Sequence, residues 1–305
     1  MSKKFANVIV NPAAGAGKTG KLWPRIMYSF QQLGLNFEHV ITEAPGHAIE
    51  LAKTAAKKGY DLVVSVGGDG TIHEIVNGLY ASGKLKDNLL GIVETGTGSD
   101  YIRTTGGSHS YEDACRLFLK PKARTVDVGI VEYCKNGGTE TRLFVNFAGM
   151  GIDSEIVRRT TQQYKKLGDM PSYLLGALTS LLTYHNHKLS ITIDGETREA
   201  NILTLIMNNG KYGGGGMCTG PYADLQDGFL DVMVAHDLSK LEFLWSLPRL
   251  YKGTHLTHRK VDSGRAREVI VKPLDGKLFV QADGELLGEV PASFKIMPAA
   301  LNIVV

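Results

Sequence analysis

Residues 61–66 read Asp-Leu-Val-Val-Ser-Val and run straight into Gly67-Gly68-Asp69-Gly70-Thr71. A β-branched run that is apolar on both faces suits a strand buried on both sides, as in a parallel sheet covered by helices. Three glycines in four positions then let the backbone turn sharply and approach a ligand without interference from Cβ atoms. The same junction occurs twice more. The apolar run Phe5 to Asn11 leads into Pro12-Ala13-Ala14-Gly15-Ala16-Gly17-Lys18-Thr19, and Asn88 to Val93 leads into Glu94-Thr95-Gly96-Thr97-Gly98-Ser99-Asp100. Helical spacing over Leu22 to Leu33, His47 to Lys58 and Thr71 to Tyr80, with a strand over Asn36 to Thr42, completes an alternation of strand and helix. That alternation predicts right-handed βαβ units and a doubly wound, Rossmann-like α/β sheet, with ligands beyond the carboxyl ends of its strands. All three glycine segments fall at that edge.

From about Arg124 the texture changes. TVDVGIVEY, TRLFVNFAG, KLSITIDG, ANILTLIMN, FLDVMVAH, REVIVK and KLFVQADG are short runs with partial alternation, separated by Gly, Asn and Asp turns. Asp194-Gly195 between two of them is a hairpin signal. These runs predict a mainly antiparallel, sandwich- or barrel-like second domain, interrupted by helices over Ser154 to Lys166, Tyr173 to Tyr184 and Leu241 to Leu250. The expected division is an α/β domain over 1–125, which carries the ligand edge, and a β-rich domain over 126–305, with roughly the last 15 residues returning to the first domain.

Composition narrows the class of protein. Lys and Arg number 34 against 31 Asp and Glu, too even a balance for bulk attraction to nucleic acid. Cys115, Cys134 and Cys218 form no CxxC pair, which excludes a zinc ribbon or disulfide framework. The N-terminus lacks a secretory apolar region, and the uncharged stretch Met170 to His187 is too polar to span a bilayer. These features predict a reduced, cytoplasmic chain with no transmembrane segment. Glycine stands out, at 36 of 305 residues, without the Gly-X-Y period of collagen.

Each glycine segment admits a plain and a functional reading. A Walker A loop needs glycine five positions before Gly17, and Pro12 stands there, so 11–19 is either a weaker phosphate turn or a tight strand–helix connection. In 67–71, Asp69 is a helix cap or a group that works with a divalent cation or a proton. The segment 94–100 repeats the set of glycines, hydroxyl and carboxylate. Three such segments at one sheet edge favour a phosphate site over coincidence.

NPxxG, GGDGT and a GTG-x-D segment in this order, followed by a β-rich half, resemble the diacylglycerol kinase catalytic family, most closely its bacterial soluble lipid kinases. Asn146-Phe147-Ala148-Gly149-Met150-Gly151-Ile152-Asp153, Gly210 to Gly216, Asp227-Gly228 and Asp283-Gly284-Glu285 agree with that resemblance. It implies an ATP- and Mg2+-dependent lipid kinase that phosphorylates a lipid hydroxyl, most readily diacylglycerol, to give phosphatidic acid. By position it assigns ATP contacts to Asn11, Pro12, Ala13, Ala14, Gly15, Thr42, Gly67, Gly68, Asp69, Gly70, Thr71, Ile72, His73 and Thr97. Asp69 and Asp100 would meet the nucleotide's magnesium through water, and Asp69 counts among the catalytic groups. Asp283 and Glu285 match the segment that supplies the base. Asp227, with main-chain carbonyls near Asp224 and Phe229, matches a structural magnesium site. Two residues depart from the family's PxGTxND pattern: Glu94 stands at its apolar position and Ser99 at its asparagine. They keep a nucleotide- or lipid-binding regulator in view, and the shared GGDGT keeps an NAD kinase-like enzyme.

A lipid kinase must meet its acceptor at a membrane surface. Residues 239–272 hold eight Lys and Arg against three acids, interleaved with Phe243, Leu244, Trp245, Leu247, Leu250 and Tyr251. That mixture suits transient contact with the inner face of an anionic membrane. Tyr173, Leu174, Ala177, Leu178, Leu181 and Leu182 at helical spacing read as core or as the lining of an acyl-chain pocket. A homodimer is compatible with the resemblance.

Overall fold

The structure, a computed structural model, describes residues 6–164 and 169–305, and for 163–174 and 177 at most the backbone. Phe5 and Lys166, the ends of two expected elements, lie outside the described residues, as do the side chains of Tyr173, Leu174 and Ala177. The chain divides into two compact units, one of 1–128 with 298–305 and one of 129–297.

In the first unit strand and helix alternate: β1 (Ala6–Val10), α1 (Lys18–Gln32), β2 (Phe37–Ile41), α2 (His47–Lys57), β3 (Leu62–Gly67), α3 (Asp69–Ala81) and β4 (Leu89–Glu94). Two short helices follow, α4 (Asp100–Thr105) and α5 (Tyr111–Leu117). Every residue of β1 and β3 is buried, which is why these runs carry apolar side chains on both faces. Helix α1 packs through Trp23, Ile26 and Phe30, at the spacing of one helical stripe, onto Val8, Val10, Val64 and Phe118. All pairings are parallel, in the order β2-β1-β3-β4, and Asn302 and Ile303 add a fifth strand beside Leu89 and Leu90. Strand order therefore reverses between β1 and β3, the place where open α/β sheets form a crevice for ligands.

The second unit is antiparallel. It is built from β5 (Ala123–Lys135), which begins in the first unit, β6 (Gly138–Phe144), β7 (Phe147–Gly151), α6 (Ile152–Arg159), α7 (Asp169–Thr183), β8 (His187–Ile193) and β9 (Glu196–Asn208). There follow β10 (Leu230–His236), α8 (Lys240–Lys252), β11 (Val261–Ala266), β12 (Glu268–Pro273), β13 (Phe279–Ala282) and β14 (Glu285–Val304), whose last residues are those that join the first unit. Following the pairings β7-β9-β8-β12-β14-β13 leads back to β7, so six strands close into a barrel. Its core includes Met150, Leu189, Ile191, Leu205, Val269, Val271, Val280 and Phe294. Strands β10 and β11 extend the sheet from β9. The β8–β9 hairpin turns on Asp194 (φ 45°) and Gly195 (φ 93°), two left-handed residues as a type I′ turn requires.

The run TRLFVNFAG, expected as one strand, is two. The chain leaves β6 after Phe144 and enters β7 at Phe147, and the amides of Val145, Asn146 and Phe147 turn instead to the Asp283 carboxylate.

Candidate active site

The three glycine segments meet at the carboxyl edge of the first unit's sheet. Asn11, just past β1, donates from Nδ2 to Thr71 Oγ1 at 3.0 Å and accepts from the Ala13 amide at 3.2 Å. That bond spans the point where strand order reverses. Thr19 and Thr95, neither singled out from sequence, share a buried hydroxyl–hydroxyl bond of 2.6 Å that ties the start of α1 to the segment after β4. Gly15 (φ 59°) lies so close to this segment that a Cβ would sit 2.6 Å from the Thr95 carbonyl oxygen. A Cβ on Gly96 would sit 2.6 Å from the Gly68 Cα. Real Cβ contacts do not reach such distances, so glycine is required at both positions for the segments to touch. The result is a cradle of backbone groups at the amino ends of α1 and α3, where amide hydrogens and the helix dipole favour an anion.

The expected ligand-contacting side chains divide into those facing this cradle and those holding it together. Asn11 is a brace, since both ends of its amide bond within the protein. Ile72 and His73 are fully buried in α3, so their side chains belong to the core rather than to a nucleotide surface. Thr71 is buried against Gly67, and Thr42 is buried with its amide on the Val10 carbonyl. Thr97 and Gly70 are exposed, as is Ala13, while Pro12, Ala14, Gly15 and Gly68 are half-buried along the rim.

For Asp69 the structure shows the helix-cap arrangement. Its Oδ1 accepts the Tyr101 amide at 2.9 Å and its Oδ2 the Asp100 amide at 3.1 Å. It is thus a cap supplied from α3 to the amino end of α4, whose own preceding residue, Ser99, is left-handed (φ 56°) and makes no side-chain cap. With both carboxylate oxygens so engaged, Asp69 reads as the group that holds the 94–100 segment in place. Asp100 is itself buried.

Glu94, the departure noted at the end of β4, is 8% exposed. Its Oε1 accepts the Gly96 amide at 2.6 Å, and its Oε2 has no hydrogen-bond partner. Burial, then the negative charge of Asp69, pushes its carboxyl up to about 7; Asp100 pushes the same way, and the Gly96 bond and Lys18 oppose them.

In the second unit the Asp283-Gly284-Glu285 turn lies between β13 and β14. The Asp283 carboxylate accepts three amides, from Val145 (2.8 Å), Asn146 (2.9 Å) and Phe147 (3.0 Å), and Asp283 itself is held at φ 48°. Glu285, the other residue of the expected base segment, pairs through its Oε2 with Arg142 at 2.9 Å, an ion pair that is only part-buried. Gln281 braces the turn, accepting from the Gly284 amide at 3.0 Å and donating to Asp153 at 3.0 Å. Arg142, Gln281 and Asp153 were not assigned roles from sequence, because their partners lie more than 100 residues away or in a different strand.

A further aspartate, Asp231, stands by the turn expected to hold a metal. Asp224 is exposed and accepts the Gln226 amide; Asp227 Oδ1 accepts the Phe229 amide at 3.0 Å. Asp227 Oδ2 and the Oδ2 of Asp231, a residue not expected here, are buried without a hydrogen-bond partner. Burial raises the Asp231 carboxyl; Arg265 opposes this, and the charges of Asp227 and Asp224 add to it. Arg265 stands 3.4 Å from Asp227 and 3.9 Å from Asp231. Among the described residues, no group of three or more His, Cys, Asp or Glu could by itself hold a metal ion. A cation here would need main-chain oxygens as well, and Arg265 already supplies positive charge beside both carboxylates.

Helix α8 has no buried residue. Leu241 (69% exposed), Leu244 (44%), Trp245 (81%) and Tyr251 (56%) face outward, with Arg249 and Lys252 also exposed. Leu178 and Leu182 of α7 are exposed as well, so they do not line an enclosed acyl pocket, whereas Leu181 packs with Leu203 and Leu238. The basic stretch is partly engaged within the protein: Lys260 pairs with Glu242, Arg265 with the aspartates, and Arg267 lies over the Phe229 ring. Among the described residues, no helix is long and apolar enough to cross a membrane.

Comparison with known proteins places these parts. Residues 6–131 match the family profile described as the diacylglycerol kinase catalytic domain, and residues 146–305 match the YegS C-terminal NAD kinase beta sandwich-like domain. The chain is 28% identical over 304 residues to a diacylglycerol kinase of Bacillus subtilis (strain 168), covering 99% of this chain and 96% of that one. It is 28% identical over 297 residues to a diacylglycerol kinase of Mycobacterium tuberculosis (strain ATCC 25618 / H37Rv), covering 97% and 93%. Among solved structures, a diacylglycerol kinase from Bacillus anthracis str. Sterne superposes with a TM-score of 0.71 at 22% identity, covering 100% of this chain and 97% of that one. Yeast NADH kinase superposes at 0.58 with 11% identity, covering 100% and 83%. Both likenesses at these identities speak to the fold. The chain belongs to the family that joins a diacylglycerol kinase catalytic domain to a YegS-type, NAD kinase-like β domain.

Proposed function

We propose that this chain is an ATP-dependent lipid kinase that transfers the γ-phosphoryl group of ATP to the hydroxyl of diacylglycerol, giving phosphatidic acid and ADP. The observation that carries the reading is the joining of three glycine segments into one backbone cradle at the switch point of the first unit's sheet. The names of the full-length relatives, diacylglycerol kinases, supply the acceptor class.

Phosphoryl transfer asks little covalent chemistry of a protein and much positioning. The backbone around Gly15, Gly68 and Gly96 binds and orients the phosphate chain, and the amino ends of α1 and α3 oppose its charge. Glu285 accepts the hydroxyl proton as the lipid oxygen bonds to the γ-phosphorus and the bond to the ADP oxygen breaks. Arg142 holds the Glu285 carboxylate, and the Asp283 nest with Gln281 fixes the turn that carries it. Bound magnesium would neutralise phosphate oxygens during transfer. A second, structural cation suits Asp227 and Asp231, whose buried Oδ2 atoms accept no hydrogen bond and have Arg265 as counter-charge at 3.4 and 3.9 Å. The outward face of α8, with Trp245 between apolar and basic neighbours, is the part best suited to transient contact with the inner face of an anionic membrane.

The test is transfer from labelled ATP with magnesium to a panel of lipids in mixed micelles, with an NAD arm. Label in the diacylglycerol product supports the reading. Label on NAD alone favours an NAD kinase-like enzyme, to which the second domain's fold also lends itself. ATP binding without transfer to any acceptor favours a regulator.

A further inference from the structure

Glu94 is an acid where the family pattern has an apolar residue, and its surroundings make it more than a neutral replacement. It ends β4 beneath the junction of two glycine segments: its Oε1 lies 2.8 Å from where a Gly96 Cβ would be and 3.8 Å from where a Gly68 Cβ would be. Its Oε2 is buried and unpartnered. The charged groups that act on it come from three helices, Lys18 from α1, Asp69 from α3 and Asp100 from α4. Two of the three are negative, and the single cation is exposed. A buried carboxylate oxygen without a donor is costly when ionised, and an adjacent phosphate chain adds further negative charge.

We propose that Glu94 couples nucleotide binding to a proton: the phosphate chain binds to the form in which Glu94 is neutral, and binding draws a proton from solvent onto that carboxyl. This inference rests on the nucleotide reading of the cradle and adds its regulation. Glu94 is a positioning residue. It acts through the charge beneath the cradle and through its hold on the Gly96 amide, without touching the reacting atoms. By reciprocity, whatever favours the proton favours the nucleotide.

The pH at which this matters follows from the carboxyl's raised value of about 7. If only the neutral form binds, the competent fraction falls about tenfold between pH 6 and pH 8, and apparent affinity falls with it. Titration calorimetry of MgATP at pH 6 and pH 8, in two buffers of different ionisation enthalpy, reads both affinity and proton uptake. Wild type is compared with Glu94→Gln, and with Glu94→Met as a second neutral variant. The ligand's own titration is common to all three proteins and cancels in the ratio. The expected result is an affinity loss in wild type about tenfold larger than in either variant, with more than half a proton taken up per nucleotide at pH 8 by wild type alone. Equal pH profiles and equal proton uptake would overturn the inference while leaving the nucleotide reading intact. Absence of MgATP binding in all three proteins at both pH values would overturn both.

Discussion

Replacing Asp69 by alanine separates a structural role from a chemical one. In the folded protein its carboxylate accepts the amides of Asp100 and Tyr101, residues that are 5% and 0% exposed. The substitution leaves two buried N–H groups without their acceptor. Each such loss costs roughly 1–3 kcal/mol, and entry of water into the space vacated offsets part of it, so about 3 kcal/mol is a fair sum. For a unit of roughly 140 residues, 1 kcal/mol corresponds to about 4 °C, and Asp69→Ala is expected to lower the melting temperature by about 10 °C. Asp69→Asn keeps one acceptor oxygen and should lose about half as much. The assay is thermal unfolding followed by circular dichroism, run beside phosphoryl transfer below the melting temperature of each variant. A variant that melts with wild type yet transfers no phosphate would refute the reasoning, because the carboxylate would then act on the reaction rather than on α4.

Four other outcomes follow from the same geometry. Gly96→Ala places a methyl 2.6 Å from the Gly68 Cα and 2.8 Å from Glu94 Oε1; since the nearest neighbour is backbone, the segments must part, and ATP affinity measured by calorimetry should fall at least about tenfold. Glu285→Gln should lower kcat by about 100-fold or more at an almost unchanged melting temperature, whereas Asp283→Ala should lower the melting temperature first, because three amides lose their acceptor. The Glu94 carboxyl is raised in the folded chain from an ordinary 4.5 to about 7, so its favourable contribution is complete below pH 4.5 and is lost as pH rises through 7. Urea unfolding should therefore show Glu94→Gln gaining on wild type between those values, by about 3 kcal/mol at pH 8. Trp245→Ala, at a residue 81% exposed, should weaken binding to vesicles containing anionic lipid several-fold while leaving thermal stability unchanged.

What could be read from the residues alone was local. DLVVSV declares β3 because burial on both faces leaves no polar position, and Asp194-Gly195 declares its hairpin because both residues tolerate left-handed backbone. Strand β11, Val-Asp-Ser-Gly-Arg-Ala, carries almost no apolar signal and exists through its pairing with β10. The twenty residues of β14 hide in ELLGEVPASFKIMPAALNIV, where no period of two persists because successive stretches pair with different neighbours. Helix α4 went unread for a related reason, since its cap comes from Asp69, some thirty residues earlier.

The site was legible in the same way. Glycines mark where backbones must approach closely, and their spacing after apolar runs identifies the phosphate edge. Which carboxylates serve structure and which remain for chemistry depends on distant amides. Asp283 meets the amides of Val145, Asn146 and Phe147 and Glu285 meets Arg142, partners some 140 residues away that no local pattern announces. Glu94 was visible as a departure, but its raised affinity for a proton comes from burial and from Asp69 and Asp100, which only the fold brings near.

The central claim is transfer of phosphate to a lipid hydroxyl, and the most direct measurement is the balance of products. Purified protein is incubated with ATP, magnesium and diacylglycerol in mixed micelles, and ADP, inorganic phosphate and lipid phosphate are quantified together. The account predicts one phosphatidic acid formed for each ADP, with negligible inorganic phosphate. ADP matched by inorganic phosphate, with no phosphatidic acid, would contradict it.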